Sequence, residues 1–313
     1  MDELFELQYL QQKKITTVFD NKAFYGDHTS FPGEYLLYYL PLRFMGLMDK
    51  PAVITTDPPS VSGIDKNGFL RLASVKIDLF VISFWLLYLI CKNMTGWGSI
   101  LALMMYGFNY QLVYHAFEIR PYSVLPVLAI VNLFLAMRQW KWWGDAVHAF
   151  VIFFTCIYHA YGVLIAFLPL FFIPMERHPR ALFMIPFALL AWIYYASYNT
   201  FGMIPNVVQS QVDPFQFMPK QFFMENLIKQ LSGGSLIFYA VVPLLVWSFI
   251  KGLNREEWKF FILLIAFPLL AIFAVDIKTH YWIHPRQYVW VIPFFAVFCG
   301  KMVDRIVKDQ KIN

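Results

Sequence analysis

Charge is scarce in this chain: 14% of its 313 residues are Asp, Glu, Lys or Arg, against roughly 25% in ordinary soluble domains. That deficit excludes most soluble folds, and it excludes a disordered chain as well. Cysteine is scarce too. Cys91, Cys156 and Cys299 sit in or at the ends of apolar runs with no Cys-x-x-Cys spacing, so neither a disulfide framework nor a zinc site is suggested. The opening residues MDELFELQYLQQKK lack the apolar core of a signal peptide. A net charge of +5, from 25 basic and 20 acidic residues, is too small and too scattered to point to nucleic acid.

Apolar and aromatic side chains fill the gap. Hydrophobic residues make up 59% of the chain, with 33 Phe and 10 Trp, which is the composition of a polypeptide solvated by lipid. We read one polytopic membrane domain. From Leu72 onward, apolar runs alternate with short polar breaks, giving about nine candidate spans at 73-92, 98-115, 121-138, 145-160, 162-175, 181-198, 233-250, 258-275 and 287-303. Backbone hydrogen bonding in hydrocarbon requires these to be helices, and the runs lack the two-residue alternation of a membrane barrel. The predicted fold class is therefore all-α.

The segment 145-175 reads either as one long helix or as a hairpin broken at Tyr158-His159-Ala160-Tyr161-Gly162. Charge decides between them. With a hairpin, Arg177, Arg180, Lys251, Arg255, Lys259, Lys301, Arg305, Lys308 and Lys311 fall on one side, against Lys220, Lys229, Lys278 and Arg286 on the other. Nine against four follows the positive-inside rule, and a single helix would invert it. Lys92, Arg138 and Lys141 agree, and Trp97, Trp140, Trp142, Trp143 and Trp258 gather on the same side as an interfacial belt. The C-terminus is then cytoplasmic.

This topology predicts two regions: an outer-face loop at 1-70 and a transmembrane helical domain at 71-313 with an outer loop at 199-232. In the first, Leu4, Phe5, Leu7 and Leu10 and the stretch from Pro32 to Leu47 read as interfacial helices, and KPAVITTDPPSVSGIDKNG reads as loop. An outer segment this long with no apolar helix ahead of it leads us to expect a first transmembrane helix before Met1, the alternative being unaided translocation of the N-terminal tail. Polar groups collect on the outer face: Asp2, Glu3, Asp27, His28, His115, Glu118, Arg120, His159, His280, His284 and Arg286. Ionisable groups near mid-bilayer are limited to Lys76, Asp78 and His148. This asymmetry favours interfacial chemistry over a conduction path.

The stretch Tyr114-His115-Ala116-Phe117-Glu118-Ile119-Arg120-Pro121-Tyr122-Ser123 resembles the Glu-x-Arg-x-Tyr signature after the third helix of GT-C glycosyltransferases of the protein-mannosyltransferase and aminoarabinose-transferase superfamily. Asp2-Glu3 resembles that family's opening acidic pair. His28 to Tyr39 is similar to its His-Pro-Pro-(apolar)-Tyr-Tyr segment, Leu70-Arg71-Leu72-Ala73-Ser74 to its Leu-Arg-Leu-Pro-Ser segment, and Pro285-Arg286-Gln287-Tyr288 with Pro293 to its late Arg-Tyr…Pro helix start. The resemblance implies an inverting membrane glycosyltransferase of the bacterial inner membrane. Its donor would be a polyprenyl-phosphate-linked sugar and its acceptor a glycan, lipid or protein on the outer face. It implies Asp2 as general base with Glu3 as partner, Glu118 as a second acid, and Arg120 and Arg286 on the phosphate. His28, His115 and Tyr122 would bind substrate. No cofactor is implied; two adjacent acids can hold a divalent metal, but nothing requires one.

Plainer readings stand beside these. Asp2 and Glu3 also suit a helix N-terminus, Glu118 and Arg120 an interfacial ion pair, and Arg286 a headgroup anchor. His159 and His280 read as packing or interfacial residues. Lys76 reads as snorkelling outward and Asp78 as a buried structural acid. Two other functions stay open: a transporter or flippase of a lipid-linked sugar or small amphiphile, and a catalytically inactive relative of the transferases.

Overall fold

The computed structural model describes residues 32–34, 36–37, 40, 44, 53–56, 59–62, 66–117, 121–138, 141–172, 175–208, 213–216, 218–279 and 283–312. Asp2, Glu3, Asp27, His28, Glu118, Arg120 and His280 lie outside them, as does most of the region read as interfacial helices.

The described chain is helical apart from one hairpin, β1 (Val53–Thr56) paired antiparallel with β2 (Pro59–Ser62), Val53 opposite Ser62. That hairpin replaces the loop read there. The β-branched run Val-Ile-Thr-Thr favours extended backbone, and Pro59 takes the first position of its strand, where a missing N–H is tolerated. The helices follow as α1 (Lys66–Cys91), α2 (Gly96–Gly107), α3 (Tyr110–Phe117), α4 (Leu125–Ala136), α5 (Trp142–Tyr158) and α6 (Gly162–Phe167). Then come α7 (Pro179–Val208), α8 (Phe223–Ser232), α9 (Ser235–Lys251), α10 (Arg255–Phe261), α11 (Phe267–Thr279) and α12 (Ile292–Ile312). A π turn, Ile262–Ala266, joins α10 to α11.

Three segments are long and apolar enough to cross a membrane: Ser74–Cys91, Pro179–Ala196 and Arg255–Lys278. A fourth is the pair Lys220–Ser232 and Ser235–Lys251, bent by 106°. The other apolar helices are shorter than a span, because polar or conformational breaks interrupt the runs. The run 98-115 divides at Phe108-Asn109 into α2 and α3, and 162-175 turns into a 3-10 helix at Leu168–Phe172. The break read at Tyr158–Gly162 is where α5 ends and α6 begins. Beyond 198 the chain does not loop out: α7 continues to Val208, and α8 occupies much of the rest of the outer loop read at 199-232.

The first two crossing segments bury only 22% of their residues inside the protein; side chains such as Trp85, Phe183 and Leu190 face outward, as lipid contact requires. Their charges reverse the expectation. Lys76 is buried and Asp78 exposed, so the lysine does not snorkel and the aspartate is not a core acid. The interior is built around α4, the first half of α12 and the turn Val289–Val291 that leads into it, where Leu125, Ile130, Trp290, Phe294 and Phe298 are enclosed. The three cysteines are buried and free.

Two contacts set the helix arrangement. Asp145 on α5 accepts hydrogen bonds from the backbone N–H groups of Arg180 (2.9 Å) and Ala181 (3.1 Å), so one buried carboxylate caps the start of α7; the dipole of that helix favours the charge there. Where α2 crosses α12, a Cβ on Gly98 would stand 2.5 Å from the Gly300 carbonyl oxygen, and one on Gly300 2.6 Å from that of Gly98. Small residues let two backbones touch without lipid between them. Gly98→Ala is expected to destabilise the protein by about 1–3 kcal/mol through overpacking, read as a fall in Tm in detergent. Gly96→Ala, where a Cβ meets nothing within 4 Å, leaves Tm in place.

Candidate functional site

Three short turns at the ends of helices carry the site. The 3-10 turn Pro121–Ser123 leads into α4 and presents Tyr122. The break between α5 and α6 presents His159 and Tyr161. The 3-10 turn Pro285–Gln287 stands ahead of α12 and presents Arg286. Residues 122, 159 and 286 are far apart in sequence, and the fold brings them onto one ring. The Arg286 guanidinium lies over Tyr122, 5.3 Å from its centroid, and the His159 ring meets Tyr122 edge-on at 5.4 Å. Tyr161 continues the stack, 5.0 Å from His159 and 6.4 Å from Trp290.

The Arg286 turn is fixed from within. His284 Nδ1 accepts from the Arg286 backbone N–H (3.3 Å), and Gln287 Oε1 accepts from the His284 N–H (2.7 Å), a reciprocal cap. Gln287 Nε2 in turn donates to Asp276 Oδ1 on α11 at 3.3 Å. Asp276 is buried, and its other oxygen has no hydrogen-bond partner among the described residues. One residue on, the Tyr288 hydroxyl donates to Gln230 Oε1 on α8. The end of α8 is held by Asn109, whose amide donates to the carbonyls of Gln230 (3.0 Å) and Leu231 (3.3 Å). The Asn109 carbonyl oxygen accepts from the N–H groups of Gln111 (2.9 Å) and Leu112 (3.2 Å), capping α3.

Electrostatically the cluster is a cation set among rings. Arg286 is half-buried and has no ion-pair partner among the described residues. His159 keeps some accessible surface but is closely ringed by protein; desolvation first, and then the Arg286 charge, push its imidazole down to about 4. It is neutral at physiological pH.

Of the residues expected at the site, Tyr122 and Arg286 meet directly. His115 is 2% exposed on α3, with its ring edge-on to Tyr114 at 5.3 Å. The remaining five, Asp2, Glu3, His28, Glu118 and Arg120, lie outside the described residues. The segment expected to join them is nonetheless represented. The turn Pro32–Glu34 packs on α5 so closely that a Cβ on Gly33 would stand 2.9 Å from Tyr158 Cα, next to His159. His159, read from sequence as a packing or interfacial residue, belongs to the cluster, and Gln287 and Asp276 support the Arg286 turn. Only the position of His159 in the break between two apolar runs signalled a role. Among the described residues no group of three or more His, Cys, Asp or Glu side chains is arranged to hold a metal ion.

The helices and composition define a helical, membrane-associated protein with three to four candidate spans. Comparison with family models, curated proteins and solved structures gives no match to the chain.

Proposed function

We propose that the protein is a GT-C-type glycosyltransferase that moves a sugar from a polyprenyl-phosphate donor to an acceptor at the outer membrane face, with inversion. The observation that carries this reading is Arg286 seated over Tyr122 beside His159, a cation without a carboxylate partner among the described residues, at the ends of helices. A lipid phosphate whose tail lies among apolar helices would place its charge at such a site, and the guanidinium fork matches phosphate oxygens. In the reaction the acceptor hydroxyl oxygen attacks the anomeric carbon while its proton passes to the Asp2 carboxylate, oriented by Glu3. The bond from that carbon to the phosphate oxygen breaks, and polyprenyl phosphate leaves with the electron pair. Arg286 and Arg120 stabilise the charge that develops on it. Glu118 supplies a second acid and His28 a further contact to sugar or phosphate.

Incubating the protein in lipid nanodiscs with a panel of polyprenyl-phosphate hexoses and pentoses, and measuring release of polyprenyl phosphate, tests the proposal. Asp2→Asn and Arg120→Ala are expected to abolish release with little loss of folded protein. Unchanged release in both variants rejects the site assignment.

One observation favours transport as a second reading: the α8–α9 pair is broken at Gly233–Gly234, both at positive φ, and bends by 106°, the kind of discontinuity that lines transport sites. Movement of a fluorescent polyprenyl phosphate across proteoliposomes, without sugar transfer, would select that reading.

A further inference from the structure

Helices α4, α5, α6 and α7 carry only three Asp, Glu, Lys, Arg or His residues, which are Asp145, His148 and Arg180. A fourth such residue, His178, stands immediately ahead of α7, and Asp145, His148, His178 and Arg180 meet at one end of the α5–α7 pair. His148 is fully buried and His178 is 1% exposed. Both ring nitrogens of His148, and Nδ1 of His178, have no hydrogen-bond partner among the described residues. Interior polar atoms are normally paired, so three orphans in one place call for an explanation. We infer that the pair is a proton switch: at mildly acidic pH His178 takes a proton from solvent, pairs with Asp145 and tightens the contact between α5 and α7, while His148 stays neutral beside it.

The carboxylate is held in place by the helix it caps. Its Oδ2 accepts from the Arg180 N–H and its Oδ1 from the Ala181 N–H, and each carboxylate oxygen has room for a second donor. His178 Nδ1 stands 3.9 Å from Oδ1, about 1 Å longer than a charge-assisted hydrogen bond. A proton on Nδ1 supplies the missing donor and closes that gap. The other charges nearby are weaker competitors. The Arg180 guanidinium lies 3.5 Å from Oδ2, but its side chain is 53% exposed, so water screens it more than the buried carboxylate. Glu176 and Arg177, on the turn ahead of His178, are exposed, and α4 and α6 bring no charged residue to α5. One proton is all that the pair can hold. The two rings meet edge-on with centroids 5.6 Å apart, and two imidazolium ions at that separation repel. The ion-pair contact with Asp145 selects His178 as the one that is charged. Because His178 leads directly into α7, closing this contact draws the start of a membrane-crossing segment onto α5. An imidazole that gains a carboxylate partner on folding adds stability at the acid end, and that addition is lost as the pH rises and the proton leaves.

Thermal denaturation of the full chain in lipid nanodiscs, at about pH 7.5 and about pH 5.5, brackets the ordinary imidazole value of about 6.5. The other histidines also titrate in this range, so the quantity read is the Tm of wild type minus that of His178→Gln. That difference is expected to be larger at the lower pH by about 2 °C or more. A difference that is the same at both pH values, or larger at the higher one, overturns the inference. Nitrogen NMR of histidine-labelled wild-type protein answers without relying on a variant that must fold. At the lower pH, His178 is expected to carry protons on both ring nitrogens and His148 on one. A His178 that stays neutral there overturns the inference, as does a proton taken up by His148 instead. Asp145→Asn tests the partner: with the carboxylate gone, both imidazoles are expected to remain neutral at the lower pH, and a His178 that still takes the proton removes Asp145 from the switch.

Discussion

Replacing Arg286 by Ala is expected to lower the affinity for polyprenyl phosphate by about a hundredfold and to abolish sugar transfer, with the protein still folded. A charge-assisted hydrogen bond contributes about 1.5–3 kcal/mol, and a guanidinium makes two to a phosphate. The cation stacked on Tyr122 would be lost with it. Folding is expected to survive because the turn uses the Arg286 backbone N–H, which donates to His284, and the variant retains that group. Arg286→Lys separates charge from shape. Lysine keeps the charge but has neither the fork nor the flat face that lies on Tyr122, so affinity is expected to fall between wild type and Arg286→Ala. Titration with polyprenyl phosphate at two salt concentrations checks this; wild-type affinity in Arg286→Ala removes the guanidinium from the site.

The largest effect on stability is expected at Asn109. Its side chain is fully buried and makes four hydrogen bonds, two donated to the last carbonyls of α8 and two accepted from the first N–H groups of α3. Asn109→Ala removes a cap from each helix and leaves buried backbone groups unpaired, a loss of about 3–5 kcal/mol. In thermal denaturation this is a fall in Tm of about 5 °C or more. Asn109→Asp keeps the acceptor that caps α3 but sets a carboxylate against the carbonyl end of α8, so it is expected to be no more stable than Asn109→Ala. The effect reaches the candidate site through Gln230, which receives the Tyr288 hydroxyl just beyond the Arg286 turn. A variant at Asn109 that folds with wild-type Tm would show that α3 and α8 are held by packing alone.

Much of the helical plan was legible because it follows from one strong force. Long apolar runs must become helices in lipid, and the excess of basic residues on one side distinguished a hairpin at Tyr158–Gly162 from a single helix; the structure breaks the chain there. Spans were harder to count, since an apolar run does not reveal where a tertiary contact ends its helix. Asn109 sits inside the run 98-115 and looks like a tolerated polar residue. Its role appears only when Gln230 and Leu231, more than a hundred residues away, are brought to it. The hairpin at Val53–Ser62 was obscured by Pro58 and Pro59 within it, and the extension of α7 to Val208 by the polar residues after 198. At the site, Tyr122 and Arg286 could be picked out by resemblance of their motifs. His159 could not, because a single sequence holds no distance between residues 122, 159 and 286. Gln287 likewise gained meaning only when its side chain was seen to close the turn and reach Asp276.

Helix α4 has a consequence for the membrane itself. Its 12 residues, ten of them buried, rise about 18 Å, against a hydrocarbon core of about 30 Å. Protein rather than lipid surrounds it, so no acyl chain sets its length. Tyr122, with Arg286 above it, precedes one end of α4, and Arg138, bonded to the Leu89 carbonyl, follows the other. The polar groups of the two ends are therefore separated by a layer thinner than the surrounding bilayer.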